Sequence, residues 1–388
     1  MKKMMIYLIA AAMVSVISVP VTKGQESNNI QLADDAKSAV LLESSSGEVL
    51  FDKNSREELP PASMTKIMTM ILIMEALKDG KLKLDEDVRV SEKAASMGGS
   101  QIFLEAGEVM KAEDLLKGVA VASGNDASVA LAERISGSEE AFVAEMNAKA
   151  KEMGLKNTQF KNTTGLPEEG HYSSAYDMAM MARELLNHES ITGYTGIYED
   201  YLRKGQKNEF WLVNTNKLVR HYEGVDGLKT GYTNEAKYCL TATAMKDGMR
   251  MIAVVMGADT PKERNANIAG MLDYAFNQFS TEKLFDKNYV MDTVNLPRGD
   301  REQLNIVTSK DVTVLKKKGQ ELKGLTTAVA YEEDLQLPIK KGDHLGKLIV
   351  QQGGKTVTEV PLVAEKSVDQ AGLWQLYKRS LGDMMIKR

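Results

Sequence analysis

Ser63 and Lys66 have the types and spacing needed for nucleophilic chemistry. They stand three residues apart in the stretch LPPASMTKIMT. A serine hydroxyl is a weak nucleophile unless a neighbouring base takes its proton, and a lysine one helical turn away can do so if it is neutral. A simpler interpretation is a helix cap, in which Ser63 or Thr65 accepts backbone N–H bonds and Lys66 points into water. Taken alone, the spacing favours the cap.

Two further groups of polar residues follow. Ser123 and Asn125 lie in VASGNDASVA, at a break between two helical patterns, where an ordinary cap would account for both. Lys229, Thr230 and Gly231 lie in VDGLKTGYT, at the end of a strand pattern. Gly231 has no side chain and suits a close approach between the backbone and a ligand, and a bulge at a strand edge would explain it as well.

The first two patterns also occur where no site is expected. Ser27 and Asn29 repeat the Ser-x-Asn spacing, and Ser280 and Lys283 repeat Ser-x-x-Lys within a polar linker. The first group differs in its setting, because two prolines precede it and an apolar helical run follows. Prolines at a helix start place the serine at the N-terminus and the lysine one turn along the same face.

Composition restricts the classes of function. The chain has 388 residues, is 43% hydrophobic and 27% charged, and carries a formal net charge of -5. It can bury a large core in more than one domain, and it has no basic field for nucleic acid. There is one cysteine, Cys239, and no metal-binding spacing occurs among the four histidines, His171, His188, His221 and His344. We therefore expect no metal, no cofactor and no nucleic-acid partner.

The N-terminus has the pattern of an export signal. Lys2 and Lys3 precede the uncharged run MMIYLIAAAMVSVISV, like the basic and apolar parts of a signal peptide. We expect residues 1–24 to be removed near Gly24. An uncleaved anchor is the alternative, which the shortness of the run disfavours. Either outcome exports the chain to the extracytoplasmic face of the cell membrane, and a single cysteine leaves it without an internal disulfide.

Residues 30–280 predict an α+β domain. SAVLLESSSGEVLFDKN favours a hairpin, and IMTMILIMEAL, apolar on all sides, favours a buried helix. Helical periodicity dominates from about Glu113 to Asn187. FWLVNTNKLV and YCLTATAMKDGMRMIAVVMGA favour strands, and NANIAGMLDYAFNQF favours a closing helix. This order predicts an antiparallel sheet covered by helices on its faces.

Two smaller regions follow. Residues 285–363 contain alternating or β-branched runs with a Gly353-Gly354 turn, and predict a small all-β domain. Residues 366–388 predict a basic amphipathic helix that bears Trp374. Such a helix is typical of one that lies in a membrane surface, and packing against the β domain is the alternative.

Together the three groups match, in order, the S-x-x-K, S-x-N and K-T-G set of penicillin-recognising serine enzymes. The combination is specific although each part is weak. PASMTKIMT, ASGNDASVALAE, SSAYDMA and GVDGLKTGYT resemble the low-molecular-mass penicillin-binding proteins that act as D-alanyl-D-alanine carboxypeptidases, and look most like the sporulation-associated members of Gram-positive bacteria. The resemblance extends from SAVLLESSSGEVL to the terminal helix. It implies a serine β-lactamase/transpeptidase-like catalytic domain, covalent β-lactam binding, and a peptidoglycan stem peptide ending in D-Ala-D-Ala as substrate.

The resemblance also implies catalytic roles. Ser63 attacks the carbonyl between the two terminal D-alanines, and Lys66 takes its proton, made neutral by burial and by the charge of Lys229. The backbone N–H groups of Ser63 and Tyr232 form the oxyanion hole. Ser123 relays a proton to the leaving D-alanine, and water then hydrolyses the acyl-enzyme.

The remaining implied roles concern substrate binding. Asn125 holds the peptide carbonyl, while Lys229 and Thr230 receive the terminal carboxylate beside Gly231. Arg264, in TPKERN, is a further candidate for that carboxylate.

One departure and three competing functions accompany the resemblance. Some relatives carry histidine after K-T-G where this chain has Tyr232, so the role of that histidine is not transferred. A β-lactamase would add a deacylating Glu in E-x-x-L-N, which Glu184 to Asn187 approaches one residue short, within a helical pattern. The second competing function is that of a non-catalytic, membrane-tethered wall-binding protein, and the third is that of a D,D-endopeptidase or transpeptidase.

Overall fold

The computed structural model describes residues 32–332 and 335–386. The predicted signal peptide, residues 1–24, lies outside this part of the chain. The helices are α1 Lys66–Lys78, α2 Glu92–Ala95, α3 Ala112–Val121, α4 Asn125–Ser136, α5 Glu139–Glu152, α6 Ala175–Leu185, α7 Thr192–Thr195, α8 Leu218–His221, α9 Pro261–Gln278 and α10 Leu373–Ile386. Short 3-10 helices are Ala62–Thr65 and Glu189–Ile191.

The strands complete the set of elements. They are β1 Ser38–Glu43, β2 Val49–Lys53, β3 Asp87–Arg89, β4 Val109–Lys111, β5 Glu199–Leu202, β6 Phe210–Val213, β7 Val225–Thr233, β8 Lys237–Lys246, β9 Met249–Ala258, β10 Phe279–Phe285, β11 Val290–Asn295, β12 Gln303–Thr308, β13 Val312–Lys317, β14 Leu325–Tyr331, β15 His344–Gln352 and β16 Lys355–Ala364.

A five-stranded antiparallel sheet of order β2-β1-β9-β8-β7 organises the N-terminal part. Side chains of a strand alternate between the two faces of a sheet. In β1, Val40 and Leu42 join an apolar cluster with α1, α3, α4 and α6, whereas Ala39 and Leu41 join a second cluster with α9. Both faces are therefore covered by helices, which confirms the predicted α+β fold.

Helix α1 runs through the first of these clusters. Ten of its residues are buried, from Lys66 through Met74 and at Ala76, as the all-round apolar sequence predicts. The early hairpin is also as predicted, with Ala39 opposite Lys53 in β1 and β2.

Two predictions about local structure are wrong. FWLVNTNKLV is a strand only to Val213, and Asn216 accepts the backbone N–H of Leu218 at 3.1 Å just before the short helix α8. The helical region between Glu113 and Asn187 is interrupted at residues 153–174, which form no helix. This interruption contributes to the site described below.

The C-terminal part has its own sheet and core. Strands of order β11-β12-β16-β15-β14 form a five-stranded antiparallel sheet, and β10 pairs with β13. A separate cluster that includes Leu348, Val360 and Leu362 fills it. Gly353 and Gly354 have positive φ angles of 56° and 78° and join β15 to β16, which agrees with the predicted turn.

Helix α10 touches this β region through Arg379, whose guanidinium donates to the carbonyls of Gly299 and Asp300 at 2.7 and 2.8 Å. Three of its large apolar or aromatic residues are exposed, with Leu373 at 89%, Trp374 at 65% and Tyr377 at 55%. Within residues 32–332 and 335–386, no helix has the length and apolar character to cross a bilayer.

Candidate active site

Ser63 lies in the 3-10 turn that leads directly into α1. Pro61 precedes the turn, and neither it nor Thr65 supplies a side-chain cap to the helix start. The helix-cap interpretation is therefore wrong. Lys66, the first residue of α1, is fully buried, and its Nζ lies 3.1 Å from Ser63 Oγ.

Two oxygen acceptors complete the surroundings of Lys66. Its Nζ lies 2.7 Å from Asn125 Oδ1 and 2.8 Å from the carbonyl oxygen of Thr164. Burial, and after it the charge of Lys229, hold the pKa of Lys66 well below its usual value, while Asp126 acts in the opposite sense. The amine is thus in an environment that favours its neutral form.

Ser123 and Asn125 lie where α3 ends and α4 begins. The N-cap of α4 is Gly124, without a side-chain cap, so the cap interpretation fails here as well. Ser123 has a left-handed φ of 65° and is 3% exposed, and its Oγ has no hydrogen-bond partner among the described residues. A residue with a β-carbon that is held at positive φ is strained, which is frequent at functional sites.

Asn125 is fixed by the segment before β4. Its backbone N–H donates to Ser100 O at 2.7 Å, and its Nδ2 donates to Gly98 O at 2.6 Å. Because Nδ2 is used in this way, Oδ1 faces Lys66. The next residue, Asp126, accepts the N–H groups of Ile102 and Leu104 and so holds the same segment in place.

Strand β7, which carries Lys229 to Tyr232, forms the edge of the sheet. Gly231 lies against the serine turn: a β-carbon there would stand 2.7 Å from Pro61 O and 3.2 Å from Ala62 Cβ. The register of β7 on β8 shifts only between Val225 and Gly227, so no bulge occurs at Gly231. A glycine is required here because the strand approaches the turn that holds the nucleophile.

The neighbours of Gly231 differ in exposure. Lys229 and Thr230 are buried, and Thr230 Oγ1 donates to Thr215 Oγ1 at 2.8 Å. Burial, and then the charge of Arg264, lower the pKa of Lys229 to about 7. Tyr232 is 51% exposed and stacks on Tyr238 with ring centroids 4.4 Å apart.

A groove of about 580 Å³ adjoins the turn on the side of the 153–174 segment. Pro61 and Ala62 line it next to Ser63, Thr233 lines it from the end of β7, and residues 165–172 form the opposite wall. The groove therefore runs between the turn that holds Ser63, the end of β7 and the 165–172 segment.

Sequence reasoning missed three contributors to the site: the backbone oxygen of Thr164, the carboxylate of Asp126 and the hydroxyl of Thr215. Thr164 acts through its backbone carbonyl, which no side-chain pattern reports. The positive φ of 83° at Gly165 marks that loop, and a glycine after two threonines was its one sequence signal. Within residues 32–332 and 335–386, no group of His, Cys, Asp and Glu is arranged to hold a metal ion.

The residues that approach the β-lactamase signature lie on the surface of α6 and just after it. Glu184 lies 3.8 Å from Lys149 Nζ, and Asn187 Nδ2 donates to Glu184 at 3.1 Å. Both residues line a separate cavity shared with residues of the C-terminal part, such as Lys310. This arrangement agrees with their interpretation as helix surface.

Comparisons with known proteins give a consistent result. The D-alanyl-D-alanine carboxypeptidase (peptidase S11) family matches residues 24–260, and the C-terminal domain of penicillin-binding protein 5 matches residues 279–370. The chain is 57% identical over 353 residues to the D-alanyl-D-alanine carboxypeptidase DacF of Bacillus subtilis, covering 91% of each.

Solved structures agree with these matches. Penicillin-binding protein 5 from Haemophilus influenzae superposes with a TM-score of 0.67 at 32% identity, over 88% of this chain and 98% of that one. The ampicillin-bound form of penicillin-binding protein D2 from Listeria monocytogenes superposes with a TM-score of 0.57 at 29% identity, over 64% of this chain and 99% of that one. With the sheet, the serine turn and the buried lysines as described, the chain belongs to the peptidase S11 family of D-alanyl-D-alanine carboxypeptidases.

Proposed function

We propose that Ser63 is the nucleophile of this carboxypeptidase and that Lys66 is its general base. The carrying observation is the 3.1 Å separation of Lys66 Nζ from Ser63 Oγ, with Asn125 Oδ1 and Thr164 O as its other polar neighbours. A neutral amine has two N–H bonds and one lone pair. When two acceptors take both hydrogens, the lone pair faces the third neighbour, so the Ser63 hydroxyl donates its proton to Lys66.

In the proposed acylation step, Ser63 Oγ attacks the carbonyl carbon between the two terminal D-alanines. The backbone N–H groups of Ser63 and Tyr232 stabilise the negative oxygen that forms. The C–N bond then breaks, Ser123 passes its hydroxyl proton to the departing D-alanine nitrogen, and Ser123 regains a proton from Lys66, which had taken it from Ser63. The buried Ser123 hydroxyl supports this role, because it has no competing partner among the described residues. Water releases the shortened stem peptide from Ser63.

We assign substrate binding to the edge of β7. Lys229 and Thr230 bind the terminal carboxylate, and Arg264 adds positive charge close enough to lower the pKa of Lys229. Asn125 holds the peptide carbonyl. An extended peptide can add to an exposed strand edge, so the rest of the stem peptide runs past Thr233 into the groove next to Ser63.

β-Lactams are proposed to acylate the same serine. The ampicillin-bound relative supports this. Fluorescent penicillin should label the protein covalently and should fail to label Ser63→Ala, with Ser280→Ala as the matched control. Labelling of Ser63→Ala would overturn the assignment.

Carboxypeptidase action is separated from the competing functions by its products. Incubation with a stem pentapeptide and a muropeptide dimer, followed by mass spectrometry, should show loss of one alanine from the pentapeptide. Cleavage of the dimer would instead favour a D,D-endopeptidase, and no product would favour a non-catalytic wall-binding protein.

Export and membrane attachment complete the proposal. Leu373, Trp374 and Tyr377 of α10 are exposed, as in a helix that lies in a membrane surface, and the N-terminal pattern supports export. Truncation before Ala371 should release the protein from membranes, whereas unchanged sedimentation would favour an uncleaved signal. A role in wall maturation during spore formation is supported by the resemblance alone, and is tested by expression timing.

A further inference from the structure

His171 lies beside the serine turn but belongs to none of the three motifs. It is 7% exposed, and its Nε2 is 2.8 Å from Oγ1 of Thr65, a fully buried residue between Ser63 and Lys66. We propose that His171 is a positioning residue, which holds Lys66 in the orientation needed to take the proton of Ser63. This inference rests on the proposed role of Lys66 as the base.

The tautomer of His171 follows from its second contact. The backbone N–H of Lys161 lies 3.2 Å from Nδ1. A backbone N–H can only donate, so Nδ1 carries the lone pair and the proton of the neutral ring is on Nε2. His171 therefore donates to Thr65. Burial, and then the charge of Lys161, lower the pKa of His171 to about 4, which keeps the ring neutral near pH 7.

The His171 imidazole contacts the serine turn and also links the two ends of a loop, segment 161–171. Lys161 and His171 are the first and last residues of segment 161–171, and the imidazole joins them. Just outside them, Gln159 and Tyr172 form a single backbone bridge. His171 thus ties both ends of the segment to each other and to Thr65.

The closed segment supplies one of the acceptors of Lys66. Thr164 lies inside it and accepts from Lys66 Nζ at 2.8 Å. Gly165 packs on the serine turn so closely that a β-carbon would stand 1.8 Å from Ala62 O. These contacts involve the segment's backbone, so the position of the Thr164 oxygen depends on how the segment is anchored, and His171 is an anchor at its base.

Loss of that anchor should affect proton transfer more than binding. If the Thr164 oxygen moves, one hydrogen of the Lys66 amine loses its acceptor and the lone pair is no longer held toward Ser63. A displacement of about 1 Å in a reacting group can cost about 100-fold in rate. The terminal carboxylate binds at Lys229 and Thr230. Because His171 lines the groove assigned to the rest of the stem peptide, KM is measured with a short acyl-D-Ala-D-Ala substrate that does not enter the groove, and that KM should change little.

The test is a set of single and double variants of the full chain. His171→Phe keeps a ring but removes both hydrogen bonds, His171→Gln keeps a donor for Thr65, and Thr65→Val removes the acceptor without changing its shape. His188→Gln is the matched control, a half-buried histidine with a lowered pKa away from the serine turn. Acylation by fluorescent penicillin, and kcat and KM for a short acyl-D-Ala-D-Ala substrate, are measured for each.

We expect His171→Phe to lower kcat and acylation about 10- to 100-fold with KM within about twofold. His171→Gln should recover most of the loss, and His171→Phe should have a smaller effect in the Thr65→Val background, because the bond to Thr65 is already absent there and only the bond from Lys161 remains to be lost. Activity of His171→Phe within twofold of wild type, or independent effects of the two sites, would overturn the proposal.

Two controls keep the result decisive. If His171→Phe does not fold, the acylation rates of His171→Gln and Thr65→Val are compared instead. Only His171→Gln keeps a hydrogen bond between positions 171 and 65. If the His171 variants keep wild-type activity while Ser63→Ala and Lys66→Ala are inactive, only this inference is rejected. If Lys66→Ala is active, the proposed role of Lys66 as the base is rejected.

Discussion

The spacing Ser-x-x-Lys occurs in two regions with different outcomes. Ser63 and Lys66 lie on one face at a helix start, with the amine fully buried 3.1 Å from the hydroxyl. Ser280 and Lys283 lie on strand β10, where residues three apart point to opposite faces. The spacing brings a serine hydroxyl and a buried lysine amine together only where the backbone is helical.

The charges around the two lysines also differ. Burial and the charge of Lys229 lower the pKa of Lys66. Lys283 is exposed, and Asp286 and Asp311 raise its pKa. A lysine can serve as a base in the first environment but stays protonated in the second. The environment, which the motif does not encode, decides the chemistry.

The largest effect is expected from removing the buried lysine, Lys66, and the matched change is removal of the exposed lysine, Lys283. Lys66→Ala should lower acylation by fluorescent penicillin about 10²- to 10⁴-fold, the usual contribution of a general base. Lys283→Ala should acylate at the wild-type rate. Thermal unfolding of both variants checks the fold. Near-normal acylation of Lys66→Ala would remove the base from the mechanism.

A second prediction concerns the other buried lysine. Lys229 has a pKa of about 7, so it is charged below that pH and neutral above it. If it binds the substrate carboxylate, kcat/KM should fall about tenfold per pH unit above about pH 7, as the cation is lost. A substrate with an amidated C-terminus should lack this decline, and Lys229→Arg should move it to higher pH. A profile that is flat to about pH 9 would contradict the assignment.

The third prediction tests the approach of β7 to the serine turn. Gly231→Ala places a β-carbon 2.7 Å from Pro61 O, and backbone on both sides prevents easy relief. We expect about 1–3 kcal/mol of lost stability, as for overpacking, and about tenfold slower acylation. Gly270→Ala, on α9 where no atom lies within 4 Å, is the control. Equal behaviour of both variants in denaturant unfolding and acylation would show that the approach is unimportant.

The smallest effect is expected in the second Ser-x-x-Lys region. Lys283 pairs with Asp286 at 2.6 Å on the surface, and exposed ion pairs contribute little to stability. Lys283→Ala should therefore leave the thermal midpoint unchanged within error at moderate salt. A clear drop in the midpoint would show that this lysine has a structural role after all.

The sequence predicted the parts of the fold that periodicity encodes. The hairpin at residues 38–53, the buried helix α1 and the β-rich C-terminal region follow from alternation, apolar content and turn residues. The prediction failed after Val213, where the Asn216 side chain accepts the backbone N–H of Leu218 ahead of the short helix α8. Local side-chain to backbone bonds of this kind compete with periodicity.

The candidate site was predictable as a set of motifs but not as a geometry. Ser63, Lys66, Asn125 and Lys229 could be named because their combination is specific. The oxygen of Thr164 and the ring of His171 could not, since the first is backbone and the second lies in a segment assigned to helices. Contacts between distant segments have no local signal.

Gly165 and Gly231 limit how this enzyme can evolve. Each brings backbone against the serine turn, at Ala62 O and Pro61 O, with no room for a β-carbon. Selection for weaker antibiotic acylation cannot act through side chains at these two positions without disturbing turnover of the natural substrate. An exposed side chain beside the turn, such as that of Tyr232, can change without this clash, so variation is better tolerated there than at the two glycines.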